Sequence, residues 1–83
     1  MILIGPVKTE KAILMIDNDN ALTFEVALRS TKKQVQEEVE RLFEVKVASV
    51  RTFITSKGNK RAVVRLEKGF KADDVATKLK IVA

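Results

Sequence analysis

The sequence predicts an α+β domain in which an antiparallel or mixed sheet of three to four strands packs with three helices as a sandwich. Three observations carry that expectation. Residues 21–28 alternate apolar Leu22, Phe24, Val26 and Leu28 with polar Thr23 and Glu25, the period of two that marks a strand with one buried face. Residues 31–43 hold a capping box followed by an apolar stripe at helical spacing. Residues 45–66 alternate again on both sides of the turn-forming Lys57-Gly58-Asn59-Lys60, which reads as a β-hairpin.

Taken in order, Ile2 to Ile4 is apolar enough for a short first strand. After Pro6, Thr9 is placed to cap a helix from about Glu10 to Ile16, and Asp17-Asn18-Asp19-Asn20 reads as a turn that stops it. Thr31 caps the second helix, with Gln34 reaching back to close the box. Val35, Val39, Leu42 and Phe43 form its buried stripe, while Glu37 and Arg41 sit at pairing distance on the exposed side. Such a pair contributes only about 0.3–0.5 kcal/mol.

The hairpin strands run from Val45 to Thr55 and from Lys60 to Leu66. In the first, the apolar phase slips from odd (Val45, Val47) to even (Val50, Ile54), which predicts a bulge near Ala48-Ser49. In the second, Ala62, Val64 and Leu66 share one face, and Arg61, Val63 and Arg65 the other. Ala72 to Leu79 reads as a closing helix, with Asp73 and Asp74 in its first turn and Lys78 and Lys80 near its end, as the helix dipole prefers. No repeat, linker or low-complexity tract divides residues 1–83, which read as one domain.

Composition narrows the function. At 46% hydrophobic and 33% charged residues the chain is globular rather than disordered. It has no His and no Cys, so the commonest general base, the strongest nucleophile and thiolate metal sites are all missing. The three glycines stand alone at 5, 58 and 69, which leaves no phosphate loop. Asp17 with Asp19, and Asp73 with Asp74, are better read as turn and helix-start residues than as a catalytic or cation-binding pair. No enzyme, cofactor or small-molecule substrate is expected. The N-terminal apolar run is too short for a signal peptide or membrane span, so a soluble, cytoplasmic protein with no membrane insertion is expected.

Charge points to a partner. The net charge of +5 is unevenly spread, because Glu37, Glu38, Glu40 and Glu44 crowd one segment. From Val45 to Leu66 there are six basic residues and no acidic one. Lysine excess can serve solubility alone, but basic residues also gather at two other places. Lys8 and Lys11 flank Thr9, where free backbone N–H groups at a helix start favour an anion. Arg29, Lys32 and Lys33 gather at the start of the second helix, where the dipole disfavours cations unless a phosphate lies nearby. The hairpin cluster comprises Arg51, Lys57, Gly58, Asn59, Lys60, Arg61 and Arg65, and Gly58 and Asn59 in the tip permit close backbone approach. These clusters are the candidate RNA contacts. Only Phe53 and Phe70 are free to stack on bases without leaving the core, so phosphate and shape contacts should dominate and affinity should fall steeply with salt.

At this point the residues resemble a known family. Pro6-Val7-Lys8-Thr9-Glu10-Lys11-Ala12 is similar to the Pro-x-x-Thr/Ser-Glu-Lys opening of the large-subunit ribosomal protein family numbered twenty-three. The resemblance continues through residues 27–32, 39–47, 50–52 and 60–66, in order and with natural spacing. It implies an α+β sandwich that binds large-subunit ribosomal RNA beside the nascent-peptide tunnel exit. It also implies neighbouring ribosomal proteins as partners, and a docking surface for ribosome-associated chaperones, signal recognition particle and the protein-conducting channel. By motif, Lys8, Thr9 and Lys11 would lie near RNA and Glu10 would face solvent as a factor contact. Arg29, Thr31, Lys32, Arg51, Lys57, Lys60 and Arg61 would be further RNA contacts. Bacterial members carry a long basic insertion in the hairpin. Here Ser56 to Asn59 is tight, as in archaeal-type members, which points to signal recognition particle rather than trigger factor. The alternative classes are an RNA-binding protein outside the ribosome and a protein adaptor with an acidic partner.

Overall fold

The computed structural model describes residues 2–79 as β1 (Leu3–Pro6), α1 (Glu10–Asp19), β2 (Ala21–Val26), α2 (Lys32–Phe43), β3 (Val47–Ile54), β4 (Lys60–Leu66) and α3 (Ala72–Lys78). The strands form one sheet in the order β1-β2-β4-β3, and every neighbouring pair is antiparallel. The α+β expectation holds, in its antiparallel form. The short first strand is displaced to Leu3–Pro6, where Pro6 sits on an edge strand that tolerates its missing N–H. Lys80 lies outside the described residues.

Alternation decides the two faces of the sheet. Leu22, Phe24 and Val26 of β2 stand beside Val64, Ala62 and Lys60 of β4 in register, and Leu66 extends the same apolar row. Onto this face α2 lays Val35 and Val39, both fully buried, and α3 adds Ala72, Val75 and Ala76. Full burial of a Val, Leu or Phe side chain is worth about 1.5–3 kcal/mol, so this layer dominates stability. Phe43 closes it by stacking on Phe24 with ring centroids 5.9 Å apart. The second face carries Ala21, Thr23 and Val63, all buried although outside that core cluster. Helix α1 runs beside it, with Ala12 and Met15 lining the same hollow as Thr23 and Val63. Ile16 of α1 instead joins the main core. The sheet is therefore flanked on both faces.

Local signals account for most boundaries. The Thr9 hydroxyl accepts the Ala12 N–H at 3.2 Å and starts α1. In the capping box of α2, the Gln34 N–H donates to Thr31 Oγ1 at 3.1 Å and the Thr31 N–H to Gln34 Oε1 at 3.0 Å. The bulge falls between Val47 and Ser49, where the phase slip predicts it.

Other expectations need correction. Helix α1 continues through Asp17–Asp19 and ends at Asn20, which adopts the left-handed conformation at φ 52°. Strand β2 stops at Val26 because β4 begins opposite it at Lys60, so Leu28 has no partner strand and is exposed. Leu42 is exposed too, and the buried stripe of α2 is Val35 and Val39 with Phe43 half-buried. Arg41 pairs with Glu38 rather than Glu37. Both spacings place charges side by side on a helix, and here the Arg41 side chain, 70% exposed, meets the Glu38 side chain, 17% exposed. The first hairpin strand is shorter than expected, Val47–Ile54 rather than Val45–Thr55.

Candidate nucleic-acid interface

Register assembles the basic residues of the hairpin. Arg51 of β3 stands opposite Val63 of β4, and the flanking pairs on the same face are Phe53 with Arg61 and Ser49 with Arg65. Three arginines thus surround Val63 on the second face of the sheet. The start of α1 delivers Thr9 and Lys11 to the same place. Together they line a hollow of about 280 Å³ that also takes in Val7, Met15, Thr23, Arg51, Phe53, Arg61 and Val63. A second hollow of about 310 Å³ adjoins it, sharing Met15, Arg51 and Val63 and adding Ser49, Asp19 and Arg65. The two form one basic groove between α1 and the hairpin.

The expected contacts at the start of α2 lie elsewhere. Arg29, Lys32 and Lys33 are exposed and line neither hollow. Thr31 is engaged in the capping box, so its hydroxyl holds the helix rather than standing free. Lys60 links this cluster to the hairpin: its ammonium donates to the Ser30 carbonyl at 2.7 Å and to the Leu28 carbonyl at 3.4 Å. Its charge remains, but its geometry is committed.

The hairpin tip is a closed turn. The Thr55 N–H donates to the Asn59 carbonyl at 2.7 Å, the Gly58 N–H to the Thr55 carbonyl at 2.9 Å, and the Asn59 N–H to Thr55 Oγ1 at 3.2 Å. Gly58 has φ +85°, and a Cβ there would touch nothing within 4 Å. Backbone conformation rather than space therefore explains this glycine. Lys57, Gly58 and Asn59 are all exposed, as are Lys8 and Glu10.

Electrostatically the groove is incomplete. Among the described residues the only ion pair joins Arg41 and Glu38, so none of the candidate RNA-contacting cations has a carboxylate partner. Like charges crowded on one face repel unless an anion lies against them. Phe24 and Phe43 are committed to their stack and Phe70 packs partly buried against the core, which leaves Phe53, 43% exposed, at the edge of the groove. Among the described residues no group of three or more Asp, Glu, His or Cys side chains is arranged to hold a metal ion. No helix among them is long and apolar enough to cross a membrane.

Sequence reasoning missed Thr23. Its place in the polar phase of β2 reads as solvent-facing, yet it is 7% exposed because α1 covers it. Thr23 and Arg61 both line the first hollow, and their Oγ1 and Nε atoms are buried without a hydrogen-bond partner. The burial of that polar phase has no signal in the alternation of β2 itself. Finally, residues 1–82 match the family model described as Ribosomal protein L23.

Proposed function

The chain belongs to the ribosomal protein L23 family, and on that premise we propose that it binds large-subunit ribosomal RNA through the groove between α1 and the hairpin. It is a large-subunit ribosomal protein. The observation that carries the RNA reading is the set of Lys11, Arg51, Arg61 and Arg65, gathered on one surface where, among the described residues, none of them has a carboxylate at ion-pairing distance; Asp19 is the one acid that lines the groove. A phosphate backbone supplies the missing charge, and release of its counterions supplies affinity. Lys8, Lys57, Gly58 and Asn59, with Arg29, Lys32 and Lys33 at the start of α2, extend the contact along the backbone. Thr9, Thr31 and Lys60 serve it by holding their helices and the hairpin base in place.

The same reading puts residues 1–83, as one domain, beside the tunnel exit on cytoplasmic ribosomes, next to other large-subunit proteins. Glu10, exposed in the first turn of α1, then offers a contact to signal recognition particle and the protein-conducting channel. The tight tip from Ser56 to Asn59 supports an archaeal-type member whose hairpin does not line the tunnel. Sedimentation of cell extract in high salt tests the proposal, followed by protein–RNA crosslinking read at nucleotide resolution. The protein should remain with the large subunit, and Arg51, Arg61 or Arg65 should crosslink to its RNA. Recovery in the ribosome-free fraction alone would overturn it.

A further inference from the structure

We infer that the free edge of β3 takes up an extended segment of a protein partner as a fifth strand, one that alternates acidic with apolar residues. The sheet has two outer strands, and they are built differently. Strand β1 is four residues long, ends on Pro6 and is bulged between Leu3 and Gly5, all devices that discourage further pairing. Strand β3 is eight residues long, and beyond its bulge at Val47–Ser49 it runs regularly to Ile54 with no proline or glycine. The phase of its ladder decides which groups are free. The Thr55 N–H donates to the Asn59 carbonyl at 2.7 Å, and on the far side of β4 the Leu66 N–H donates to the Asn20 carbonyl at 3.1 Å. Antiparallel pairs alternate between bonded and unbonded, so both bonds require Ser49, Arg51 and Phe53 to turn their backbone groups to β4. Val50, Thr52 and Ile54 therefore aim theirs outward, where no strand among the described residues meets them.

The side chains along this edge select the partner. Between Ser49 and Ile54 the only charged residue is Arg51, which is exposed, and Ile54 is 64% exposed. Arg51 shares the groove face with Ser49 and Phe53, whereas Ile54 lies in the opposite phase with Val50 and Thr52. A strand laid alongside places an acid beside Arg51 on one face and apolar side chains beside Val50 and Ile54 on the other, cross-strand pairs of the kind that stabilise sheets. A second copy of the chain is disfavoured. Residues 45–66 hold six cations and no acid, so edge-to-edge pairing would bring like charges together. An RNA backbone accepts from the outward N–H groups but leaves the outward carbonyls and Ile54 unmatched. A partner strand supplies donors, acceptors and apolar cover at once, with main-chain bonds giving affinity and alternate side chains giving specificity. Arg51 also borders the groove, but the outward backbone of this edge takes no part in the RNA contact proposed there.

The test uses the full chain and a blocked synthetic peptide that alternates glutamate with valine, with a lysine–valine peptide of the same length as control. Amide exchange followed by NMR reads the site, and anisotropy of the labelled peptide reads affinity. The acidic peptide should slow exchange at Val50, Thr52 and Ile54 and leave Ser49, Arg51 and Phe53, already bonded to β4, unchanged. Thr52→Pro removes an N–H that the ladder does not use and should weaken binding about tenfold or more. Arg51→Glu should weaken the acidic peptide about two- to tenfold and favour the lysine peptide, and it decides the matter if Thr52→Pro fails to fold. Unchanged exchange at those amides with about 1 mM peptide, or equal affinity for the two peptides, would overturn the added strand. Slow exchange at the same amides without peptide, in a chain that sediments as a dimer, would overturn it in favour of a second copy. Either result leaves the salt-dependent RNA contact standing, because that contact is measured without the peptide.

Discussion

The Lys60 ammonium donates to the Ser30 carbonyl at 2.7 Å, across a separation of 30 residues. Ser30 is itself fixed, 5% exposed with its hydroxyl donating to the Ala27 carbonyl at 2.6 Å. One lysine of the basic hairpin therefore acts as a clasp between the base of the hairpin and the loop that leads into α2.

Replacing that lysine should separate it from its neighbours. Lys60→Ala is expected to lower stability by about 1 kcal/mol, the upper value for charged hydrogen bonds being reduced by partial exposure. Lys57→Ala, at an exposed tip position, should leave stability unchanged. Urea unfolding with equal m-values checks both, and equal midpoints for the two variants would remove the clasp.

Salt dependence reads the phosphate contacts. Lys57→Ala and Arg65→Ala each remove a cation without a carboxylate partner among the described residues. Each should reduce the slope of log affinity against log salt by about 0.7–0.9. A folded double variant with the wild-type slope would show that neither side chain meets a phosphate.

Asn20 is the residue on which α1, β4 and α3 converge. Its amide donates to the Phe70 carbonyl at 2.8 Å, its side-chain oxygen accepts the Ala72 N–H at 2.7 Å, and its backbone is left-handed. That N–H belongs to the start of α3, whose capping residue Lys71 supplies no side-chain bond. Asn20→Ala loses both bonds and strains the backbone, so a loss of about 2–4 kcal/mol is expected. Asn20→Gly removes the strain alone and should recover about 1 kcal/mol of it, measured as a shift in the urea midpoint.

Glu10→Ala separates docking from assembly. Thr9 rather than Glu10 caps α1, so the variant should fold and enter large subunits normally. Recruitment of signal recognition particle to those subunits should fall, as measured by cosedimentation. Normal recruitment would remove Glu10 from the docking surface, and failed assembly would show that its role is structural.

Where a signal was local, it was legible. The capping box of α2 is complete within four residues, Thr31 to Gln34, and needs nothing from the rest of the chain. Strand β4 spans Lys60–Leu66 as its alternation requires, and the bulge beside Ala48 follows from a slip in phase. The end of α1 was not legible, because Asp17 and Asp19 are turn-formers by type. They remain helical because Asn20 is anchored to groups 50 and 52 residues away. The limit of β2 was hidden for a similar reason, since it depends on where β4 starts.

The candidate site divides along the same line. The sequence by itself determined an α+β chain of known family character, with an excess of cations in the hairpin and at two helix starts. Composition and periodicity are properties of neighbouring residues, and they survive without a fold. Only the tertiary structure decided that Lys11 joins Arg51, Arg61 and Arg65 while Arg29, Lys32 and Lys33 do not, that Lys60 is committed to Ser30, and that Thr23 is buried with its hydroxyl unpaired. Each of these depends on how α1 and the hairpin come together on the second face of the sheet, an arrangement of segments some 40 residues apart that alternation within any one strand does not record.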